Sequence, residues 1–116
     1  MHKWRWLYIK SHQLHHLTYC SQGITAHYMH WIDFFLESTI EGITHVLCFP
    51  LGGSPIGFIS FTCAGVFNGV VVHSGWNFKF LPDPVRHYFH HSKFSVNYSI
   101  GPLDFLLGTS DNGAQN

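Results

Sequence analysis

Two copies of one histidine motif, HxxHH, constrain this chain more than any other feature. They are His12–His16 (HQLHH) and His87–His91 (HYFHH), and a long apolar region separates them. On a helix, positions i, i+3 and i+4 share one face, so each motif is predicted to present three imidazoles to one point. In a random chain of this length and composition, the expected number of HxxHH motifs is about 0.1. Because imidazole is the commonest metal ligand, two facing triads predict a site for two metal ions.

The apolar region from Ile32 to Val72 predicts a helical hairpin. Gly52–Pro55 (GGSP) is a strong turn signal, and it divides the region into Phe34–Leu51 and Ile56–Val72. As α-helices these segments would each extend roughly 25–27 Å, which is at the short end of what spans a bilayer. We therefore predict a membrane hairpin over about residues 34–72. The alternative is a buried core hairpin of a soluble protein.

The charge distribution favours the membrane alternative. Only 10% of the residues are charged and 46% are hydrophobic, whereas about a quarter are charged in ordinary soluble domains. If both segments cross the bilayer, the two histidine motifs return to one side. All Lys and Arg residues lie on that side, which the positive-inside rule makes cytoplasmic. The prediction is an all-α fold, namely a helical integral membrane protein with a transmembrane hairpin and a cytosolic, histidine-rich helical cap.

Composition and motifs exclude several other classes of protein. Six basic residues balance six acidic ones, so a nucleic-acid partner is not expected. The three cysteines, Cys20, Cys48 and Cys63, are odd in number and far apart. They indicate free thiols in a reducing compartment rather than a disulfide framework. The sequence also lacks HExxH, zinc-finger, GxSxG and P-loop motifs, so zincin, hydrolase and nucleotide-binding functions are not indicated.

Three blocks of sequence resemble the fatty acid hydroxylase superfamily, which includes sterol desaturases, methylsterol monooxygenases and cholesterol hydroxylases. They are residues 2–16 (HKWRWLYIKSHQLHH), 73–78 (HSGWNF) and 86–109 (RHYFHHSKFSVNYSIGPLDFLLGT). The resemblance implies a membrane-bound enzyme whose di-iron centre is held almost wholly by histidine. It implies hydroxylation or desaturation of a sterol or a fatty-acyl or alkyl lipid, with dioxygen as oxidant and a cytochrome b5-type electron donor. In a eukaryote it implies the endoplasmic reticulum, with the active site on the cytosolic face.

The same resemblance assigns nine histidines as iron ligands. Six come from the two HxxHH motifs, one from the HSGWNF block, one from the segment between the blocks and one from a match to the family's HxxxH motif. The nine are His2, His12, His15, His16, His30, His73, His87, His90 and His91. His27 and His45 have no counterpart and are predicted to be packed or hydrogen-bonded. No catalytic side chain beyond the metal ligands is predicted, because the metals carry the chemistry.

Three acidic residues, Asp33, Glu37 and Glu41, recur at four-residue spacing at the start of the apolar region. The favoured interpretation is a polar seam that faces other helices or water. The alternative is that Asp33 accepts a hydrogen bond from a ligand imidazole. Asn97 and Asp104, in the last block, are predicted to be structural.

The sequence departs from the family pattern in two places. The first histidine of HxxxH would precede Met1, as would further membrane helices. This leaves open a non-catalytic alternative, either a truncated oxygenase remnant or a metal-binding membrane scaffold. An acid that precedes the HSG block in many relatives is replaced by Val70–Val72, so a partner of His73 is expected to be missing.

The length of 116 residues allows one domain. We assign the fatty acid hydroxylase-like domain to residues 1–107. The remaining residues 108–116 (GTSDNGAQN) are polar and are expected to form a disordered tail.

Overall fold

The regular secondary structure consists of helices throughout the part of the chain that the structure describes. The structure is a computed structural model, and it describes residues 1–18, 22–48, 53–99 and 102–111. The helices in this part are α1 (Arg5–Lys10), a first 3₁₀ helix (His12–Leu17), a second 3₁₀ helix (Gly23–His27), α2 (Trp31–Cys48), α3 (Pro55–His73), α4 (Pro84–Lys93) and α5 (Pro102–Leu107). The helical fold class is confirmed for these residues.

The two predicted apolar segments form helices α2 and α3, with bounds close to those expected. The ring centroids of His45 and Phe58 lie 4.7 Å apart across the pair, so His45 is packed as predicted. Helix α3 starts where the turn signal placed it, because Ser54 Oγ accepts a hydrogen bond from the Gly57 amide at 3.1 Å and Pro55 occupies the first turn. Gly52, in the predicted turn, lies outside the described residues.

Helix α3 is long and apolar enough to cross a bilayer. It has 19 residues with a mean hydropathy of 1.7, and 11% of its apolar window is buried within the protein. Among the described helices it alone meets this criterion of length and composition. Helix α2 carries three carboxylic acids. Acidic side chains are costly in contact with lipid, so they argue against a lipid-exposed span. A crossing by α2, and thus a transmembrane hairpin with a cytosolic cap, remains a proposal.

The interior near the histidines is polar, whereas much of the surface is apolar. Among the described residues, the buried hydrophobic side chains are Ala26, Val71 and Val72. The buried polar residues are Ser11, His12, His15, His16, Asp33, His73, His90, His91, Asn97 and Asp104. Large side chains such as Trp4 and Phe105 are 73% and 79% exposed. Extensive exposed apolar surface is typical of proteins that contact a membrane or a partner.

A close helix contact fixes the second 3₁₀ helix against α3. A Cβ atom built on Gly23 would lie 3.0 Å from Cγ1 of Val70 and 3.2 Å from its carbonyl oxygen. Gly69 similarly faces Ala26 at 3.8 Å. These small residues allow the backbones to approach, which brings the C-terminal end of α3 close to the first histidine motif.

The chain beyond α5 is held by Asn97 as far as Asp111. The Asn97 amide donates to the Thr109 carbonyl at 2.8 Å, and its side-chain oxygen accepts from the Asp111 amide at 2.8 Å. These hydrogen bonds pair the Thr109 carbonyl and the Asp111 amide, which lie within the segment predicted to be a disordered tail. Residues 112–116 lie outside the described part.

Candidate metal centre

Eight of the nine predicted ligands converge in two adjoining groups, and each group holds four histidines. Within a group, one ring nitrogen of every member lies within 4.8 Å of the others. The first group is His2, His12, His16 and His90. The second group is His15, His73, His87 and His91. The groups touch, since the ring centroids of His16 and His91 are 4.5 Å apart.

The two motifs do not each form one triad, so that part of the sequence prediction is wrong. The residues at i and i+4 of a motif enter one group together, as His12 and His16 do. The residue at i+3, such as His15, enters the opposite group with the i and i+4 histidines of the other motif. The first motif also forms a 3₁₀ helix, in contrast to the α-helix expected. Each group therefore combines both motifs and is completed by His2 or His73.

The nitrogen spacing in the second group fits a shared cation. The Nε2 atom of His73 lies 2.9 Å from Nε2 of His87 and 3.3 Å from Nε2 of His15. Nε2 of His87 is also 3.0 Å from Nε2 of His91. One proton on His87 cannot form two linear hydrogen bonds to these neighbours. Two nitrogens bound to one ion at about 2.1 Å and near right angles are about 3 Å apart, so a metal ion relieves the conflict.

Three rings have hydrogen-bond acceptors that leave Nε2 free for a metal. Nδ1 of His73 donates to the Gly69 carbonyl at 2.8 Å, and Nδ1 of His90 donates to the Val96 carbonyl at 2.9 Å. Nδ1 of His12 donates to Oδ2 of Asp33 at 2.7 Å. Such partners fix the tautomer and orientation of metal-binding histidines. The expected missing partner of His73 is therefore replaced by a backbone carbonyl from its own helix.

Asp33 belongs to the site. Its side chain is fully buried and lies 2.7 Å from His12, so for Asp33 the alternative geometry is observed. Its second oxygen, Oδ1, has no hydrogen-bond partner within the described residues. A weak signal for this contact is present in the sequence, because Asp33 follows His30 by three residues, but that spacing does not identify His12 as the partner.

Burial keeps the imidazoles neutral and available as ligands. It lowers the pKa of His2 to about 3 and that of His15 to about 4. For His16, His87 and His91, burial together with neighbouring histidines lowers the pKa to about 2. Since a metal binds the deprotonated ring, these shifts favour metal over proton.

His30 is the predicted ligand that the structure leaves outside both groups. Its Nδ1 accepts a hydrogen bond from the Ile32 amide at 3.2 Å, and its ring packs beside Trp31 with centroids 5.7 Å apart. It therefore orders the start of α2 in this structure. His27, predicted to be packed or hydrogen-bonded, is exposed at the end of the second 3₁₀ helix.

Asn97 and Asp104 support the loop that faces His90. Asp104 accepts hydrogen bonds from the Ser99 amide at 3.0 Å and from the Thr109 hydroxyl at 2.8 Å. Asn97 adopts a left-handed conformation with φ +52° and donates to the Arg86 carbonyl at 2.9 Å. Together they hold the segment after α4, in which the Val96 carbonyl accepts from His90. The structure thus gives both residues the structural contacts that the sequence predicted.

A cavity of about 380 Å³ opens beside the second group. His15, His73 and His87 line it together with His90 of the first group, residues of α2 and α3, and residues around α4. Small-molecule sites in proteins have volumes of about 300–1,000 Å³. The arrangement is that of a helical protein with a buried cluster of histidines that could hold metal ions, next to a cavity.

Comparison with known proteins places this centre in a family. The model for "Fatty acid hydroxylase" matches residues 1–109. The chain is 34% identical over 106 residues to human fatty acid hydroxylase domain-containing protein 2, covering 88% of the chain and 30% of that protein. The Macaca fascicularis protein of the same name is 32% identical over 105 residues, with the same coverage. Human cholesterol 25-hydroxylase is 29% identical over 120 residues, covering 93% of the chain and 43% of that protein.

The chain belongs to the fatty acid hydroxylase family, as the resemblance indicated. It spans less than half the length of these curated relatives. No solved structure matches the chain.

Proposed function

We propose that this chain forms the catalytic domain of a membrane-bound di-iron oxygenase that hydroxylates, or desaturates, a sterol or a fatty-acyl or alkyl lipid. The observation that carries the proposal is the pair of four-histidine groups, which adjoin each other and open onto a cavity. Membership of the fatty acid hydroxylase family supports a lipid substrate and a hydroxylase-type reaction.

Iron is the metal that the donor set and the family together favour. Imidazole suits iron as well as zinc and copper, and two adjoining sites would hold two ions. Bound there, the iron pair would supply activation of dioxygen and attack on an unactivated C–H bond. His2, His12, His16 and His90 would hold one ion, and His15, His73, His87 and His91 the other.

The protein residues bind, orient and exclude water. Asp33 and the carbonyls of Gly69 and Val96 hold three rings with Nε2 directed into the groups. Burial of the ligands keeps bulk water from the centre and keeps the rings deprotonated. The cavity lets a C–H bond of the substrate approach the second group, of which His73 and His87 form part.

The substrate and electron donor follow from the same proposal. Helix α3 and the exposed apolar surface support association with a membrane, from which an apolar lipid would enter the cavity. The name of cholesterol 25-hydroxylase favours a sterol among the candidate lipids and hydroxylation over desaturation. We further propose a cytochrome b5-type donor, the endoplasmic reticulum in a eukaryote, and a centre on the cytosolic face.

Metal analysis combined with lipid profiling tests this function. The full-length protein, purified in detergent and loaded with iron, should bind about two irons per chain, the number that two four-histidine sites accommodate. Cells that express it should accumulate an oxidised lipid. His90→Ala removes a ligand from the first group alone, so it should lower the iron content towards one per chain and abolish the product. Product formation by that variant at the wild-type rate would refute the oxygenase. Stoichiometric iron without any oxidised lipid would favour the metal-binding scaffold.

A further inference from the structure

We propose that the groove between α2 and α3 selects a neutral lipid that carries a hydroxyl group, and that Glu41 accepts the hydrogen bond from this hydroxyl. The inference rests on the proposed oxygenase function, because it names the chemical class of substrate that the same site would take. It concerns how the ligand is chosen, and it is tested without turnover.

The groove is part of the cavity above the histidines. Helix α2 contributes Glu37, Ser38 and Glu41 to one wall, and α3 contributes Thr62 and Asn68 to the other. Glu37 and Glu41 are about one turn apart on one face of α2, and Thr62 and Asn68 are polar positions among the residues by which α3 lines the cavity. His73 lines the same cavity. A purely hydrocarbon ligand would leave these groups without partners, and that costs binding free energy.

Glu41 and Gly65 lie opposite each other and mark one level of the groove. Oε1 of Glu41 is 3.4 Å from the position that a Cβ atom on Gly65 would take, so the missing side chain leaves room for the carboxyl group. Glu41 lies eight residues after Asp33, and Gly65 lies eight residues before His73. At 1.5 Å per residue, each helix places this level about 12 Å from the histidine level. A hydroxyl bound at Glu41 would therefore leave about 12 Å of lipid body between itself and the metal centre.

The charges around the cavity favour a neutral donor over an anion. The lining holds three carboxyl groups, on Glu37, Glu41 and Asp83, and one guanidinium, on Arg86. Arg86 is paired with Asp104 at 3.6 Å and bonded to Asn97 at 3.3 Å. A hydroxyl can donate to a carboxylate in a charge-assisted bond. A fatty-acid carboxylate or a sulfate would instead meet like charge, which disfavours binding.

The test is a competition experiment on the iron-loaded full chain in lipid nanodiscs under nitrogen, so that the ligand is bound but not oxidised. Radiolabelled 1-hexadecanol is the probe, and unlabelled 1-hexadecanol and hexadecanoate are the competitors. Cholesterol and cholesterol sulfate repeat the contrast on a sterol skeleton. In the wild type we expect the neutral member of at least one pair to compete about tenfold better or more, which corresponds to about 1.4 kcal/mol. The pair that shows the contrast identifies an alkyl or a sterol ligand.

Glu41→Gln is the decisive variant, because the amide still accepts a hydrogen bond but carries no charge. We expect its preference for the neutral lipid to fall to about threefold or less, mainly through better binding of the anion. Thr39→Val is the matched control on the outer face of α2, where the Thr39 hydroxyl bonds to its own helix, and it should keep the wild-type ratio. Comparing ratios between variants in one nanodisc composition cancels the partition of each lipid into the bilayer.

Two results would overturn the inference. One is equal competition by the neutral and anionic members of both pairs in the wild type. The other is an unchanged ratio in Glu41→Gln. Either result leaves the oxygenase proposal intact, because iron content and lipid oxidation are measured separately. Conversely, selective binding without any oxidised product would keep the groove assignment and remove the proposed reaction.

Discussion

Nδ1 of His12 lies 2.7 Å from Oδ2 of Asp33, and the Asp33 side chain has no exposed surface. The pair joins the first 3₁₀ helix to the start of α2. It also leaves Nε2 of His12 directed into the first histidine group. A carboxylate in this position fixes the tautomer and orientation of a metal-binding ring. Asp33 is thus predicted to act on metal affinity through His12.

Asp33→Asn tests this relationship. The variant removes the charge that holds the His12 ring, so we expect iron affinity to fall about 10–100-fold, the usual cost of losing such a partner. Chelator competition on the purified protein measures it. Asp111→Asn is the control, because Asp111 pairs with the exposed Lys93 and should leave iron affinity unchanged. Wild-type affinity in Asp33→Asn would show that the pair has no such role.

The exchange of the i+3 histidines between groups predicts which double variants keep a metal. His15→Ala/His87→Ala removes two ligands from one group, and about one iron per chain should remain. His87→Ala/His90→Ala removes one ligand from each group, so iron content should fall below that of the first pair. Measuring the iron content per chain of both double variants tests this order. The reverse order would indicate that each motif holds its own ion.

The lowered pKa values of the buried imidazoles predict acid sensitivity of the metal-free protein. Burial lowers the pKa of His15 to about 4 and that of His2 to about 3, whereas an unfolded imidazole titrates near 6.5. Between about pH 6.5 and 4 the unfolded chain binds more protons, so the free energy of unfolding decreases as the pH falls. Tm measured by tryptophan fluorescence should drop over this range. Added Fe(II) should raise Tm at neutral pH and lose its effect in acid, because protons displace the metal. A Tm that is independent of pH would contradict this account.

Two glycines predict opposite effects of the same substitution. Gly23→Ala would place a methyl group 3.0 Å from the Val70 side chain, and we expect a destabilisation of about 1–3 kcal/mol from overpacking. Gly42→Ala meets nothing within 4 Å inside α2 and should stabilise the helix by about 0.5–1 kcal/mol. Thermal unfolding of both variants, with iron bound, tests the contact between the second 3₁₀ helix and α3. Equal behaviour of the two variants would mean that this contact does not contribute.

The sequence alone determined the types of ligand and the helices that carry them. Helical periodicity, the Gly-Ser-Pro turn and the two HxxHH motifs are local patterns, and local patterns fix local geometry. They were sufficient to place two helical segments at α2 and α3 and to select six of the eight histidines that converge. His2, His73 and His30 were chosen by resemblance, and of these three the structure leaves His30 outside the groups.

The tertiary structure decided how those ligands are shared and what supports them. Motif spacing describes one helix at a time, whereas the grouping of His15 with His87 and of His16 with His90 depends on how α4 packs across the first 3₁₀ helix. The partners Asp33 and the Gly69 carbonyl lie 21 and 4 residues from the rings they hold, and a backbone carbonyl leaves no signal in the residue type. The cavity likewise lies between separate helices, so no single segment of sequence indicates it. Such features depend on the distances between segments. Packing determines those distances, and rules that describe one segment at a time do not contain them.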